Sequence, residues 1–275
     1  MTHQHDRARV FRALHEAAET FVIPNPWDAG SAKMLAALGF PALATTSAGF
    51  AFSLGRADGA NAVDREETLQ NAGAIVQATP LPVSADLENG FGDEPEACAE
   101  TILRAAEAGL VGGSIEDATG RAGDPIYPLP LAVQRIRAAV QAARSLPFHF
   151  TLTARAENHL HGIADLDDTI RRLQAYAEAG ADVLYAPGLR TREDIRQVVQ
   201  AVAPKPVNVV AGLSGPNLSV AELADLGVRR VSLGSSFARA AYGAFLQAAQ
   251  EVRQHGTFNF SAEAVPFARI NAMFC

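Results

Sequence analysis

Two cysteines in 275 residues give neither the number nor the spacing for a disulfide framework or a zinc site. Cys98 falls in a predicted helix, and Cys275 is the last residue. Long apolar runs are missing too. No stretch approaches the length of a membrane span, and the first residues, Met1 to Arg7, lack the apolar core of a signal peptide. Basic surface is scarce: the formal charge is −7 and the 23 lysines and arginines are scattered, which argues against a phosphate backbone as partner. No Pro/Ser-rich or single-sign stretch offers itself as a linker. These absences leave a soluble, cytoplasmic protein with no nucleic-acid or membrane partner, folded as one domain over residues 1–275.

What is present is a repeat of short apolar strands and alanine-rich amphipathic helices, the pattern of a parallel sheet with crossover helices. Eight strands are predicted near 21–27, 42–49, 82–88, 112–117, 148–156, 182–188, 206–212 and 230–235. Helices are predicted between them near 29–39, 64–79, 94–109, 130–146, 165–180, 191–203 and 219–227, with an extra one near 6–19 and a long one near 236–255. Four helices end on the same junction, at Gly39, Gly109, Gly180 and Gly227, each leading straight into a strand. Such tight turns suit the stability face of a (β/α)8 TIM-type barrel, while the opposite turns hold the polar residues and converge on one mouth. A doubly wound open sheet is the competing fold, but no Gly-x-Gly-x-x-Gly turn follows the first strand.

At that mouth the run from Ser84 to Asp93 ends a strand with two acids and a glycine turn. Strand alternation would put Asp86 and Glu88 on one face. Two carboxylates held together repel unless a cation lies between them, and a hard divalent ion, Mg2+ or Mn2+, answers that need. The plain alternative is a polar strand end before a turn. Glu116 is one strand away, near enough to share the ion directly or through water, and Asp58 could add a fourth acid. Taken alone, Asp58 reads as a turn residue and Glu116 as a salt-bridge partner. Arg155 would be costly to bury without an anion, so it is a substrate clamp, a counterion of the metal site, or a partner of Glu116 or Glu157. Asn208 either binds a second carboxylate or forms a turn. Thr45, Thr46, Ser47 and Ala48 offer hydroxyls and amides that could hold a carboxylate or an oxyanion. His159 and His161 read as loop residues near the mouth, and Trp27 as mouth lining or helix packing. The phenylalanines Phe258, Phe260, Phe267 and Phe274 read as interface or core.

With Thr46-Ser47-Ala48-Gly49, Ser53-Leu54-Gly55 up to Asp58, Asp86-Leu87-Glu88-Asn89-Gly90-Phe91-Gly92, Ile115-Glu116-Asp117 and Thr153-Ala154-Arg155, the chain resembles the isocitrate lyase and phosphoenolpyruvate mutase superfamily along nearly its whole length. The resemblance implies Mg2+ bound directly by Asp86 and through water by Asp58, Glu88 and Glu116. It implies a substrate carboxylate held at the backbone of Ser47 and Ala48, with Arg155 and Asn208 touching substrate. The expected catalytic set is Asp58, Glu116 and Arg155, and the expected substrate contacts are Thr46, Ser47, Ala48, Asp86, Arg155 and Asn208. A last helix exchanged between subunits of a dimer or tetramer is also implied, which the 236–255 helix and the aromatic tail to residue 275 would suit.

Two departures bear on the reaction. The isocitrate and 2-methylisocitrate lyases of the superfamily carry a Cys acid in a Lys-Lys/Arg-Cys-Gly-His loop after the Glu-Asp pair, and the phosphonate-forming mutases carry Lys and Asn there. This chain has Ala118-Thr119-Gly120-Arg121-Ala122-Gly123-Asp124-Pro125. A family glutamate on strand six falls at Tyr185-Ala186-Pro187-Gly188, where there is no acid. The remaining parts can chelate a 2-oxo acid and stabilise an enolate. The expected activity is carbon-carbon cleavage of a small 2-oxo or 2-hydroxy di- or tricarboxylic acid, with oxaloacetate decarboxylation first. Phosphorus-carbon chemistry on phosphonopyruvate or phosphoenolpyruvate, and binding of a C4 or C5 2-oxo acid without turnover, are the alternatives.

Overall fold

All eight predicted strands form, each short apolar run having a helix to bury one of its faces. The computed structural model describes residues 2–59, 62–213 and 215–274, so Cys275 lies outside the described residues. The strands are β1 (Phe21–Ile23), β2 (Leu43–Ala44), β3 (Val83–Asp86), β4 (Gly112–Glu116), β5 (Thr151–Arg155), β6 (Val183–Tyr185), β7 (Val207–Val210) and β8 (Arg230–Ser232). They pair in parallel in the order β1-β8-β7-β6-β5-β4-β3-β2. Between β1 and β2 no ladder is recorded among the described residues. That seam is closed by Ala44 N–H donating to Pro24 O at 3.1 Å and by Asn25 Nδ2 donating to Thr45 O at 3.0 Å. Asn25 Oδ1 also accepts from the amides of Leu233 and Gly234, so one side chain ties both edges to the end of β8. The architecture is the (β/α)8 barrel.

The helices are α1 (Thr2–Glu16), α2 (Ala29–Ala37), α3 (Ser47–Ser53), α4 (Arg65–Ala78), α5 (Pro95–Glu107), α6 (Leu129–Ser145), α7 (Leu166–Ala179), α8 (Arg192–Val202), α9 (Val220–Asp225), α10 (Ser236–His255) and α11 (Phe267–Ala272), with a 3-10 turn at Asn259–Ala262. Asp28, Asp64, Asp165, Thr191 and Ser219 each accept an amide of the first turn, a cap worth about 1 kcal/mol apiece. The four junction glycines all take left-handed backbone, Gly180 at φ 106°.

Apolar side chains fill the layer between sheet and helices, among them Ile75, Ile102, Leu173 and Val198, all fully buried. α1 covers the N-terminal end of the barrel, where Phe11 packs on Gly112. A Cβ at Gly112 would lie 2.7 Å from Phe11 Cε1 and 2.9 Å from Thr151 O, so this strand position has no room for a side chain. Several other buried residues on the strands are polar: Ser84, Thr153, Asn208, Arg230 and Ser232.

Three expectations are corrected. The strand expected over 42–49 stops at Ala44, and Ser47–Ser53 is helix α3, capped by Thr46 Oγ1 accepting from Gly49 N–H at 3.2 Å. β3 stops at Asp86, and Glu88 takes left-handed backbone at φ 47°, so a turn rather than the strand pleat sets its direction. Asn208 lies inside β7 and is buried, not in a turn after it.

α10 projects from the barrel. Of its residues Ala238 is buried, whereas Phe245 and Leu246 are 66% and 55% exposed. Phe258, Phe260, Phe267 and Phe274 are exposed within this chain, so none belongs to its core. The tail returns to the barrel where Lys33 Nζ donates to Phe274 O at 2.9 Å. No described helix is long and apolar enough to cross a membrane.

Candidate active site

The strand ends place one guanidinium at the centre of the mouth. Arg155, at the end of β5, donates from Nη1 to Asp86 at 2.8 Å, from Nη2 to Glu116 at 3.1 Å and from Nε to Glu157 at 2.8 Å. Register explains the set: Glu116 pairs with Arg155 across β4 and β5, while Asp86 pairs with Ser114. Of the roles expected for Arg155, the ion pairs with Glu116 and Glu157 are both formed, and Asp86 adds a third. Tyr185 closes the other side, its ring centroid 5.2 Å from the guanidinium carbon.

Asp86 is held on both oxygens. Its Oδ1 takes Arg155 and the Glu88 amide, at 3.4 Å, and its Oδ2 takes Ser47 Oγ–H at 2.9 Å and the Ser47 amide at 3.4 Å. The 88–93 turn that carries Glu88 is strained, with Phe91 also left-handed at φ 60°. Arg135 braces it by donating to the carbonyls of Asn89, Gly92 and Asp93 while lying 4.2 Å over the Tyr127 ring. Behind Glu157 stands a second buried network. Asp117 accepts from the Glu157 amide at 2.8 Å, Tyr176 Oη at 2.5 Å and Arg172 at 3.1 Å.

Negative charge is in surplus here. Asp58, Asp86, Glu88, Glu116 and Glu157 surround Arg155, five carboxylates around one guanidinium. Burial, then the charge of Asp86, pushes Glu88 up to about 7, and Asp58 rises for the same two reasons. Burial also raises Glu116 and Glu157, against the pull of Arg155. No cluster of three acid, His or Cys side chains tight enough to chelate an ion alone occurs among the described residues. Mg2+ ordinarily takes one or two carboxylates and keeps its waters, so a wide acid cage with one well-placed carboxylate fits that ion.

The mouth has two lobes, both bordered by Ser47, Asp58, Arg155 and Leu160. The inner lobe, about 210 Å³, reaches down to Tyr185, Asn208, Arg230 and Ser232. The outer lobe, about 480 Å³, is bordered by Glu88, Glu116, Glu157, His161 and the 118–125 gate. The gate is a closed loop, bridged between Ala118 and Ile126 and pinned by Arg121 to Asp93 at 2.9 Å. Its wall on this lobe, Ala118, Gly120, Arg121, Ala122 and Pro125, carries no thiol, carboxyl or imidazole. Cys98 is buried in α5 with its thiol directed to Asn89 O.

The expected residues thus come together at one mouth: Thr46, Ser47, Ala48, Asp58, Asp86, Arg155 and Asn208 around the inner lobe, Glu88 and Glu116 around the outer. His161 borders the outer lobe, while Trp27 packs on α3, its Cβ 3.0 Å from where a Cβ on Gly49 would stand. Arg230, Tyr185 and Ser232 join this lining beyond the residues the sequence predicts. A charged residue opening a predicted strand, ahead of Val231-Ser232-Leu233, is the available signal.

Comparison with known proteins places the chain. The sequence profile of the family described as phosphoenolpyruvate phosphomutase matches residues 11–253. The chain belongs to that family, within the PEP mutase/isocitrate lyase superfamily of lyases and mutases. It is 34% identical to Rv1998c of Mycobacterium tuberculosis (strain H37Rv) over 95% of both chains, and 29% identical to the oxaloacetate decarboxylase of Pseudomonas putida (strain KT2440) over 95% of this chain and 90% of that one. A crystal structure from Burkholderia cenocepacia J2315, provisionally named a lyase/mutase, is 60% identical with a TM-score of 0.97, covering 100% of this chain and 98% of that one. Oxaloacetate acetylhydrolase in complex with the product oxalate is 30% identical (TM-score 0.86, 97% and 93% covered). Phosphonopyruvate hydrolase in complex with oxalate and Mg2+ is 25% identical (TM-score 0.86, 97% and 94% covered).

Proposed function

We propose that this protein is a Mg2+-dependent carbon-carbon lyase of a small 2-oxo di- or tricarboxylic acid, and that oxaloacetate decarboxylation is the first activity to seek. The observation that carries the reading is the surplus of carboxylate charge around Arg155 beside a small polar lobe. Asp86 would hold the ion directly, and Asp58, Glu88 and Glu116 through water. When bound, the ion supplies Lewis-acid polarisation of the substrate's 2-oxo group.

The chain's own residues do the rest. Arg155 fixes Asp86, Glu116 and Glu157 in one arrangement, so no reorganisation of the acids is needed as charge develops on the substrate. Ser47 presents a hydroxyl and an amide at Asp86, where a substrate carboxylate beside the ion would meet them. Loss of CO2 requires no proton at the leaving group, which suits a gate wall without an acid; retro-aldol cleavage to a second carboxylic acid would require one. Mn2+ could replace Mg2+ in such an oxygen site.

The test is pyruvate release from oxaloacetate, above the uncatalysed background, with Mg2+ and its loss after EDTA. A panel of C4 to C6 oxo and hydroxy acids that yields no product, with phosphate release from phosphonopyruvate followed by phosphorus NMR, would move the assignment to phosphorus-carbon chemistry. Exchange of α10 between two copies belongs to the same reading, supported by its exposed Phe245 and Leu246. Light scattering should then report a dimer or tetramer.

A further inference from the structure

Arg230 enters the barrel from the start of β8 and is 6% exposed, yet no carboxylate among the described residues forms an ion pair with it. Its hydrogen-bond partners are neutral. Nε donates to Asn208 Oδ1 at 2.8 Å, Nη2 donates to Thr153 Oγ1 at 3.0 Å, and Nη1 lies 3.3 Å from His15 Nε2. His15 Nδ1 is 2.8 Å from Phe11 O, an acceptor only, so Nδ1 carries the proton and Nε2 accepts from Arg230. Three of the five N–H groups of the guanidinium are thereby used and two remain.

A buried charge without a counter-charge is among the costliest things a fold can carry. Arg135 also lacks a carboxylate, but three backbone carbonyls and the Tyr127 ring enclose it. Arg230 instead borders the inner lobe deeper in the barrel than the acid cage, its guanidinium bonded to Thr153, two residues before Arg155 on β5. The lobe is electrically two-ended. At the Asp86 end, Arg155 is already engaged by three carboxylates, so its charge is matched within the protein. At the Arg230 end, Asn208 and Ser232 supply further polar atoms and no acid borders the lobe.

We propose that Arg230 receives the second carboxylate of the substrate, which makes this site selective for 2-oxo diacids over 2-oxo monoacids. The inference rests on the 2-oxo acid reading above and narrows its substrate class. A planar fork of free N–H donors matches a carboxylate, and meeting it desolvated inside the barrel gives the discrimination its strength. A purely positioning role is the rival, since Nε also fixes the amide of Asn208 and so directs Asn208 Nδ2 to Ser232 Oγ at 3.0 Å.

Length-matched pairs separate the two. With Mg2+, the wild-type protein and Arg230→Gln are compared for oxaloacetate, by KM where it is turned over and by affinity otherwise, against the competitive binding of 2-oxobutyrate, and for 2-oxoglutarate against 2-oxovalerate by competition or calorimetry. The expected result is a loss of about 30- to 100-fold for the diacid of the preferred length and under about 3-fold for its monoacid partner. Arg230→Lys, which keeps the charge without the fork, should regain part of the preference and serves as the main probe if Arg230→Gln does not fold. Equal losses for both partners, or none, overturn the proposal and leave Arg230 a positioning residue. A wild-type protein that binds neither series with Mg2+ overturns the 2-oxo acid reading itself, a distinct outcome.

Discussion

Arg155 and Arg230 border the same inner lobe under opposite conditions. Arg155 is gripped by three carboxylates, and Arg230 is surrounded by an amide, a hydroxyl and a neutral imidazole. The neighbours' charge drives the proton affinity of Arg155 well above the ordinary value despite burial, whereas burial lowers Arg230 to about 10. The first arginine is a component of the acid cage and the second is a cation in need of an anion. Breaking each in turn tests that division.

The largest effect is expected at Asp86, at the Arg155 end of the lobe. Asp86→Asn keeps the shape and one accepting oxygen, but it turns an NH2 group toward donors on the other side and removes the charge that would hold the ion. We expect kcat/KM on oxaloacetate to fall by about 10³-fold or more, and the Mg2+ dependence of ligand binding to vanish. Unchanged metal-dependent binding in calorimetry would remove Asp86 from the site.

Next comes Arg155→Met. Removing one member of a buried ion cluster leaves the others uncompensated, at a cost of about 3 to 5 kcal/mol. Urea denaturation without metal should show it, and added Mg2+ should restore part of the loss, since a divalent ion can take over the neutralisation. A variant as stable as the wild type would mean that the three carboxylates are protonated in the fold.

How much of this was readable beforehand follows from where side-chain direction is decided. The eight strands and the junction glycines are local patterns, and all of them are present. The strands end sooner than the sequence predicts because polar and apolar residues still alternate where the chain has already turned. Thr45-Thr46-Ser47 looked like more of β2, although a threonine two residues before Ala48-Gly49 is an ordinary helix cap. Glu88 was placed beside Asp86 by the pleat; the two do meet, but through the turn that Arg135 braces from a helix more than forty residues later, which no local pattern reveals. Arg230 does not stand out in the sequence, because Arg229-Arg230 reads as a charged strand start. Arg229 faces the barrel's N-terminal side and bonds Ala18 O, while its neighbour points inside, and only the register with Asn208 on β7 tells them apart.

A smaller effect is expected from pH at His15. Burial, then the nearby charge of Arg230 and to a lesser degree His149, lowers its pKa to about 3, against 6.5 for an ordinary histidine. Between those values the unfolded chain binds a proton that the folded chain does not, so this contribution is complete above about pH 6.5 and is lost as pH falls. From pH 7.5 to 4.5 the loss should be about 2 to 3 kcal/mol. Asp58, Glu88, Glu116 and Glu157, all raised, act with the opposite sign, so the wild-type profile alone does not isolate the histidine. His15→Gln does: it keeps an acceptor for Arg230 without the titration. The difference between the two stability profiles should be flat above pH 7 and turn in the variant's favour toward pH 4.5. A difference independent of pH would show that His15 is not held neutral.

The smallest change in stability should come from Arg230 itself, and that contrast with Arg155 is the sharpest test of the division. Arg230→Met removes three hydrogen bonds, each worth about 1 kcal/mol net, and leaves Asn208 Oδ1, Thr153 Oγ1 and His15 Nε2 short of a donor. It also removes the desolvation penalty of an unpaired buried charge, which is of several kcal/mol and opposes folding. The two nearly cancel, so unfolding free energy without ligand should stay within about 1 kcal/mol of wild type, with a gain as acceptable as a loss. In the presence of a binding diacid the same substitution should cost more, because the wild type then gains stability in proportion to ligand occupancy and the variant does not. If Arg230→Met proves as damaging to the unliganded fold as Arg155→Met, Arg230 is a structural cation like its neighbour across the lobe, and the two-ended picture of the site fails.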